Sequence, residues 1–305
     1  MIEILMTTCN GQKHLEEQLD SLFSQTIQSF ALVVQDDASI DSSIKILKRY
    51  QALYPSRIMI RINKTNLGAA YNFLDLMTAH KNQYLMLCDQ DDVWLPQKIE
   101  NTLNEMKRME AKYGIQTPIL VHSDLTVVNI DLQLISHSYL KMAGADSIDS
   151  IKQMVLRNNV AGCTVMYNRA LANLLIETPK SCIMHDCWLA QVAFCFGKIS
   201  CIPSQILYRQ HGNNALGAQS VHGFRHKWYK ITHSYEIRQS LFASYRQAGE
   251  FLRIYGNLLS PSDRQVLAAY AAMPSMGKLD RLLMMKKEQL FRKGILRKLS
   301  QAVFG

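Results

Sequence analysis

Three aspartates, Asp89, Asp91 and Asp92, directly follow the apolar run YLMLC of residues 84–88. A short apolar run bounded by polar residues predicts a strand that is buried on both faces. Carboxylates crowded at the end of a strand repel one another and lose hydration, so we expect a positive charge beside them. A divalent cation with a phosphate-bearing ligand would supply that charge. The alternative is an acidic turn in which Asp91 or Asp92 caps the next helix.

Polar or acidic loops follow three other predicted strands as well. The four loops are TTCNG at 7–11, DDAS at 36–39, NKTNLG at 63–68 and DQDD at 89–92. Each follows an apolar run and precedes a segment with helical periodicity. This repeat predicts a Rossmann-like α/β fold, with a mostly parallel mixed sheet and helices on both faces. Ligands of such sheets bind outside the carboxyl ends of the strands, so we expect the four loops to form the site.

The later part of the chain predicts fewer strands and more helix. Extended segments are expected at 118–128, 162–167 and 198–210, and helices at 146–157, 170–176 and 185–196. From residue 224 onward the pattern is entirely helical. These features predict an α/β domain at 1–220, which carries the four loops, and a helical, basic carboxyl-terminal region at 221–305.

The formal net charge of +9 is concentrated near the carboxyl terminus. Eight Lys or Arg and two acidic residues lie between Lys278 and Phe304, among many apolar residues. This pattern fits a peripheral contact with a membrane surface, and a helical packing or homodimer face is the alternative. The rest of the chain carries little excess charge, so we do not expect it to bind nucleic acid.

The seven cysteines form no CxxC pair, and several lie inside apolar runs, which is typical of a reducing compartment. Cys182, His185 and Cys187 match no familiar zinc spacing. No signal peptide precedes the first strand, and no uncharged apolar run approaches the roughly 20 residues that span a bilayer. We therefore expect a cytoplasmic protein, placed by its basic segment at the inner face of the cell membrane.

Two common phosphate-binding motifs, GxGxxG and GxxxxGK[ST], do not occur in the sequence. The phosphates of a bound nucleotide would therefore be held by a metal rather than by a glycine-rich loop. A nucleotidyltransferase is disfavoured for the same reason, since such enzymes usually carry a glycine-rich loop with a lysine near the first strand.

Seven segments occur in an order that resembles the family 2 glycosyltransferases, most closely the rhamnosyltransferase-like bacterial members that build surface polysaccharide. They are MTTCNG, DDASIDSS, NLGAAYN, CDQDDVWLP, NNVAGCTVMYNRAL, HDCWLA and YRQHGNN, within residues 1–215. The resemblance implies a GT-A type fold and a nucleotide-diphosphate-sugar donor. It also implies a divalent cation, Mn²⁺ or Mg²⁺, and sugar transfer with inversion.

The resemblance further implies which residues hold the nucleotide. They are Thr7, Cys9, Asn10, Asp37, Asn66, Gly68 and Asp91. Asp37 matches the residue that accepts a hydrogen bond from N3–H of uracil or thymine, and Asp91 the residue near the ribose and diphosphate. Cys9 stands where many members have a tyrosine. For Asn66 and Gly68 a plain turn is the alternative.

Metal and catalytic residues are implied in the same way. Asp92 matches the metal ligand, and Asp89 would either bind the cation directly or orient one of its ligands. His211 matches a position near the metal or the diphosphate, and an ordinary surface histidine is the alternative. Asp186 matches the catalytic base, which takes the proton of the acceptor hydroxyl, whereas helix capping is the simpler role. Trp188, Arg209, Gly162 and Cys163 are implied on the acceptor or sugar side, and pairing with the diphosphate is the alternative for the arginine.

The donor and acceptor are expectations from the resemblance alone. dTDP-rhamnose is the favoured donor, with UDP-galactose, UDP-glucose and UDP-N-acetylhexosamines as alternatives. The acceptor would be a saccharide or a lipid-linked molecule of surface polysaccharide biosynthesis. A non-catalytic nucleotide-sugar-binding module is the alternative function.

Overall fold

The computed structural model describes residues 1–144, 148, 150–210 and 234–291, with side chains described from residue 238 in the last segment. His211 and the basic residues 292–305 lie outside the described residues. The strands are β1 (Ile2–Thr8), β2 (Phe30–Asp36), β3 (Ile58–Ile62), β4 (Tyr84–Cys88), β5 (Val93–Trp94), β6 (Ile119–Ser123), β7 (Thr126–Val128), β8 (Leu134–Ser136), β9 (Met166–Asn168), β10 (Lys198–Ile202) and β11 (Ile206–Arg209).

The helices among the described residues flank the strands in the first part of the chain and dominate its last part. They are α1 (Leu15–Phe23), α2 (Ser43–Leu53), α3 (Ala69–Ala79), α4 (Lys98–Tyr113), α5 (Tyr139–Ala143), α6 (Ile151–Met154), α7 (Arg169–Ala172), α8 (His185–Phe196), α9 (Ser234–Tyr255), α10 (Pro261–Ala271) and α11 (Lys278–Lys287). Short 3₁₀ turns lie at Gly162–Thr164 and Met273–Ser275.

The larger sheet has seven strands in the order β10-β6-β9-β4-β1-β2-β3. β1 pairs in parallel with β2 and β4, and β2 with β3, whereas β9 runs antiparallel to β4 and β6. β1 is buried along its whole length, as are four of the five residues of β4, which explains their unbroken apolar sequences. The predicted α/β fold with a mostly parallel mixed sheet is confirmed.

Helices α2, α3, α4 and α8 pack on this sheet through apolar faces that their sequences specify. In α4, Ile99, Leu103 and Met106 recur at helical spacing and are buried. The helix ends at Gly114, whose φ of 93° is favourable only for glycine among common residues. Burying each such apolar side chain contributes roughly 1.5–3 kcal/mol relative to its exposed state.

A second sheet has four strands in the order β5-β11-β7-β8. In the chain, β5, β7 and β11 directly follow β4, β6 and β10, which are strands of the larger sheet. The prediction of a single extended segment at 118–128 is therefore wrong, because β6 and β7 belong to different sheets. The carboxylate of Asp124 accepts backbone hydrogen bonds from Leu125 and Leu140, which turns the chain between the two strands. The segment 198–210 divides in the same way into β10 and β11. The strand expected at 162–167 is also shorter, because it begins as the 3₁₀ turn.

The described residues form two compact units. One comprises those within 1–146, 160–178 and 184–218, and the other those within 147–159, 179–183 and 219–305. In the second unit α9 packs on α10, where the Ser244 hydroxyl and the Tyr270 hydroxyl share a 2.9 Å hydrogen bond. None of the described helices combines the length and apolar character needed to cross a bilayer. The division of function between 1–220 and 221–305 stays a prediction.

Candidate active site

The carboxyl ends of β1, β2 and β4 lie side by side and bring three of the predicted loops together. Thr8 is paired with Asp36, and Met6 with Cys88, in the parallel registers. The loops that follow therefore begin at the same edge of the sheet. The Thr8 hydroxyl donates a 2.7 Å hydrogen bond to the buried carboxylate of Asp36, which joins the first two loops directly.

The Asp37 carboxylate holds the loop of residues 63–68, which follows β3. Its Oδ1 accepts hydrogen bonds of 2.8 Å from the Leu67 N–H and the Asn63 amide, and its Oδ2 accepts one of 2.8 Å from the Gly68 N–H. A carboxylate offers about four acceptor positions, so three donors leave room for one more. Gly68 has a φ of 80° at the start of α3, which is why a glycine suits this position.

The Cys9 backbone connects the residues predicted to hold the nucleotide to the acidic loop of residues 89–92. Its N–H donates to the Gln90 side-chain oxygen at 2.9 Å, and the Gln90 amide donates back to the Cys9 carbonyl at 3.1 Å. The Asn66 amide donates both to the Cys9 thiol and to the Asp37 carbonyl, each at 3.2 Å. Sequence analysis missed Gln90, although its place between Asp89 and Asp91 was a usable signal.

The remaining nucleotide-side residues lie in the same loops. Thr7 is buried at the end of β1, and Asn10 is exposed with a φ of 50°. The Asn10 side chain accepts a 2.9 Å hydrogen bond from the Ile40 N–H, and its own N–H donates to the Ser39 hydroxyl at 2.8 Å. The structure therefore brings Thr7, Asn10 and Asp37 to the same edge of the sheet.

Asp89, Asp92 and Cys163 form the candidate cation site. One carboxylate oxygen of each aspartate and the Cys163 sulfur all lie within 4.8 Å of one another. Asp92 is fully buried, and its Oδ1 accepts the Arg209 N–H at 3.1 Å, whereas its Oδ2 has no hydrogen-bond partner in the described structure. A buried carboxylate oxygen without a partner is costly, and a bound cation would satisfy it. These residues therefore fit a divalent cation.

The electrostatics of this site also favour a cation. Burial, followed by the negative charges of Asp91 and Asp186, raises the pKa of Asp89 to about 7. Burial and the neighbouring charges of Asp91 and Asp89 raise the pKa of Asp92 well above its usual range. Without a cation these carboxyl groups retain protons that exposed aspartates would release.

Lys98 is a fully buried cation at the start of α4 and was missed by sequence analysis. Its ammonium donates a 3.0 Å hydrogen bond to the Cys163 carbonyl and lies 4.3 Å from the centre of the Trp94 ring. Burial lowers the pKa of Lys98 to about 8, and the charges of Asp92 and Asp89 oppose that shift. The signal was helical spacing, because Lys98 lies eight residues before Met106 of the apolar face of α4.

Asp186 lies in the first turn of α8 and is held by two backbone donors. Its Oδ2 accepts from the Gly162 N–H at 3.2 Å, and its Oδ1 from the Cys187 N–H at 2.6 Å. Burial raises the pKa of Asp186 to about 6, and these hydrogen bonds only partly oppose the shift. A buried carboxylate that ionises near neutral pH can act as a general base.

The His185 ring lies close to Gly162, which has no side chain to obstruct it. The ring stacks on Phe73 with centroids 4.0 Å apart, and burial lowers the pKa of His185 to about 3, so the ring is neutral. A Cβ placed on Gly162 would lie 2.5 Å from the His185 Nε2. Glycine at this position therefore allows the 3₁₀ turn to approach α8 and donate to Asp186.

All four residues predicted on the acceptor or sugar side, including Gly162 and Cys163, are buried. Trp188 is fully buried in α8. Arg209 is also buried, and its guanidinium donates to the Asp91 carbonyl at 3.0 Å and to the carboxylate of Glu17. In this structure the arginine joins β11 to the acidic loop, and contact with a substrate stays a prediction for both residues. The predicted metal ligand His211 lies outside the described residues.

Comparison with known proteins identifies a family. Residues 3–175, more than half of the chain, match the model of glycosyl transferase family 2. A dTDP-rhamnosyl transferase, RfbG of Shigella flexneri, is 27% identical over 249 residues, which cover 74% of this chain and 81% of that protein. An uncharacterized protein of Mycobacterium tuberculosis is 24% identical over 220 residues, 70% of this chain and 59% of that protein. The chain thus matches only 59% of the length of the mycobacterial relative.

Solved structures show the same fold. S. aureus TarS in complex with UDP-GlcNAc superposes with a TM-score of 0.55 at 13% identity, covering 98% of this chain and 86% of that chain. The mannosyltransferase PcManGT of Pyrobaculum calidifontis, in complex with GDP-Man and Mn²⁺, has a TM-score of 0.53 at 16% identity and covers 99% of this chain and 84% of that chain. At these identities the likeness concerns the fold alone.

Proposed function

The chain belongs to glycosyl transferase family 2, and on that premise we propose that it is an inverting, metal-dependent glycosyltransferase. It would move a sugar from a nucleoside-diphosphate donor to a saccharide or lipid-linked acceptor of surface polysaccharide biosynthesis. The observation that carries the proposal is the set of contacts that runs from Asp37 through Asn66, Cys9 and Gln90 to the acidic loop. At the other end of this edge Asp186 is close enough for its charge to raise the pKa of Asp89.

Asp186 would be the catalytic base. The hydroxyl oxygen of the acceptor forms a bond to C1 of the sugar while the bond between C1 and the phosphate oxygen breaks, and the hydroxyl proton passes to Asp186. Attack opposite the leaving phosphate inverts the configuration at C1. The Gly162 and Cys187 N–H groups hold the carboxylate in place with one hydrogen bond to each oxygen, and each oxygen retains a second acceptor position for the proton.

Asp89 and Asp92 would hold Mn²⁺ or Mg²⁺, the cations that suit carboxylate oxygen ligands. When bound, the cation neutralises the charge that develops on the leaving nucleoside diphosphate. The unpartnered Oδ2 of Asp92 supports this assignment. His211 stays a predicted additional ligand.

The donor nucleotide would be uridine or thymidine diphosphate. Asp37 retains one acceptor position, which suits N3–H of uracil or thymine, and Asn10 and Asn66 flank it in the neighbouring loops. dTDP-rhamnose is the favoured sugar nucleotide, supported by the similarity to the Shigella dTDP-rhamnosyl transferase. UDP-galactose, UDP-glucose and UDP-N-acetylhexosamines are the alternatives.

A membrane contact through α11 would place the protein at the inner face of the cell membrane. Leu279 and Leu283 lie one helical turn apart and are 70% and 58% exposed, and Lys278, Lys286 and Lys287 are exposed on the same helix. Exposed leucines beside lysines suit an anionic lipid surface. A homodimer face is the alternative use of this surface.

The proposal is tested with Asp92→Ala and Asp186→Asn, assayed with dTDP and UDP sugars in the presence of Mn²⁺. Each variant should fold and should lose transfer by about 100-fold or more, the range of a lost general base. Asp131→Asn, an exposed aspartate, is the control and should retain activity. Full transfer by both site variants would contradict the mechanism. Donor binding that raises the melting temperature of wild type without any transfer would favour the non-catalytic binding module.

A further inference from the structure

We propose that Tyr139 and Tyr208 form an aromatic platform that binds the acceptor. The acceptor group is then a pyranose ring, which lies with its C–H face on the two tyrosine rings and presents a hydroxyl to Asp186. This proposal rests on the proposed function, because it takes Asp186 as the base that receives the acceptor proton.

An acceptor needs side chains that it can reach. The four residues predicted on the acceptor or sugar side are buried, so they offer little surface to a second substrate. Tyr139 and Tyr208 are only partly buried, and each packs one part of its ring against the core and leaves another part accessible. Sequence analysis assigned no role to either tyrosine.

The two rings form one continuous surface. Their centroids lie 6.4 Å apart, and the ring planes are tilted by 55°. This distance is within the range of a direct aromatic contact. The chain thus brings the first residue of α5 and a residue of β11 together into a single aromatic patch.

The platform extends from the acidic loop to the proposed base. Tyr208 directly precedes Arg209, whose N–H donates to the Asp92 carboxylate at 3.1 Å. Burial raises the pKa of Tyr139, and the negative charge of Asp186 adds to this shift, so the Tyr139 ring lies near the base. A hydroxyl that attacks the donor must be placed between these two points.

The backbone that carries the platform is held firmly. The Asp124 carboxylate accepts hydrogen bonds from the Ser138 hydroxyl and from the Leu140 N–H, on either side of Tyr139. The Tyr139 N–H itself donates to the Leu125 carbonyl at 3.0 Å. The second ring is carried by β11, which pairs with β5 on one side and with β7 on the other. Binding would therefore require little ordering of the protein.

The chemistry of the platform matches that of a sugar ring. Each tyrosine combines an apolar ring face with a polar hydroxyl at its end, and a pyranose combines a face of C–H groups with hydroxyls at its rim. Neither phenolic hydroxyl is hydrogen-bonded to another residue that the structure describes. Burial raises the pKa of both groups, so each stays protonated and can donate to a sugar oxygen. An open-chain polyol phosphate has no such flat C–H face.

The test is saturation-transfer NMR of the full chain with Mn²⁺ and either UDP or dTDP. The probes are the methyl pyranosides of glucose, galactose, rhamnose and N-acetylglucosamine, and ribitol phosphate is the open-chain comparison. Wild type should transfer saturation to the ring C–H protons of at least one pyranoside and not to ribitol phosphate. Tyr139→Leu and Tyr208→Leu should each weaken binding of that pyranoside about tenfold, the scale of a lost aromatic contact. Tyr113→Leu, which replaces an exposed tyrosine of α4, is the matched control and should bind as wild type does.

Two further measurements separate binding from folding. Tyr139→Phe and Tyr208→Phe keep the ring and lose only the hydroxyl, so each should bind more tightly than the corresponding leucine variant. Thermal melts check that the leucine variants are folded, and Tyr139→Met or Tyr208→Met replaces one that is not. In transfer assays the leucine variants should raise the KM of the acceptor about tenfold and leave the KM of the donor within about twofold of wild type.

The proposal is overturned if wild type binds no pyranoside, if it binds ribitol phosphate equally well, or if both leucine variants bind the pyranoside as wild type does. If sugar transfer by wild type continues in that case, the proposed function stands without the platform. Conversely, pyranoside binding that depends on both tyrosines in a protein that transfers no sugar would support the platform and contradict the proposed function.

Discussion

Replacing Asp186 by Asn should stabilise the protein at neutral pH while it abolishes transfer. Burial is the main reason that the pKa of Asp186 is about 6 rather than the ordinary 3.8. One pH unit corresponds to about 1.4 kcal/mol, so a shift of about two units disfavours the ionised carboxylate by about 3 kcal/mol in the folded state. Asparagine carries no charge and avoids that penalty.

The effect has a definite dependence on pH. The folded protein binds the Asp186 proton more tightly than the unfolded chain does, so wild type loses this stabilisation as the pH rises through about 6. The variant has no such proton. The free energy of unfolding of Asp186→Asn minus that of wild type should therefore increase by roughly 1.5 kcal/mol between pH 5 and 8.

Thermal melts of the metal-free full chain at pH 5, 6, 7 and 8 measure this difference. For a protein of this size it corresponds to a shift of a few degrees in melting temperature. Asp131→Asn, at an exposed position, should differ from wild type by the same amount at every pH. If the Asp186→Asn difference is equally flat, burial does not perturb this carboxyl group, and the argument for its basicity is refuted.

Three further outcomes are expected. Transfer by wild type should fall about tenfold for each pH unit below about 6, because Asp186 accepts a proton only when ionised, and a flat rate between pH 5 and 8 would contradict its role as base. Gly162→Ala should lower the melting temperature by an amount equivalent to about 1–3 kcal/mol, because the new Cβ would lie 2.5 Å from the His185 ring. The matched control Gly249→Ala has its nearest neighbour at 3.9 Å and should leave stability unchanged or raise it. Lys98→Met should lower the melting temperature without metal, and Mn²⁺ should recover more stability in the variant than in wild type, since the cation replaces the missing charge.

Local patterns were sufficient for the first half of the sheet. The apolar runs that predicted the first four strands correspond to β1 through β4. Three of these strands, β1, β2 and β4, are almost wholly buried, and burial on both faces produces a continuous apolar sequence that can be recognised without knowing the partners. The loops after them were recognised for the same reason.

The bounds of the later strands depend on contacts with distant residues and not only on local sequence. The segment 118–128 is apolar at both ends but divides at Asp124, whose carboxylate accepts hydrogen bonds from the backbone N–H groups of Leu125 and Leu140. The segment 162–167 begins as a 3₁₀ turn because Gly162 must approach His185 and donate to Asp186. Neither contact is visible in a local sequence window.

The sequence by itself determined the strand–loop–helix order and named the aspartates, because periodicity and residue type are local properties. Tertiary structure alone decided what surrounds those aspartates. It placed the Lys98 ammonium and the Cys163 sulfur, 65 residues apart in the chain, beside the same two carboxylates. Charge and burial depend on distance in space, so only folding could set the pKa of Asp186 and leave Asp92 with an unpartnered oxygen.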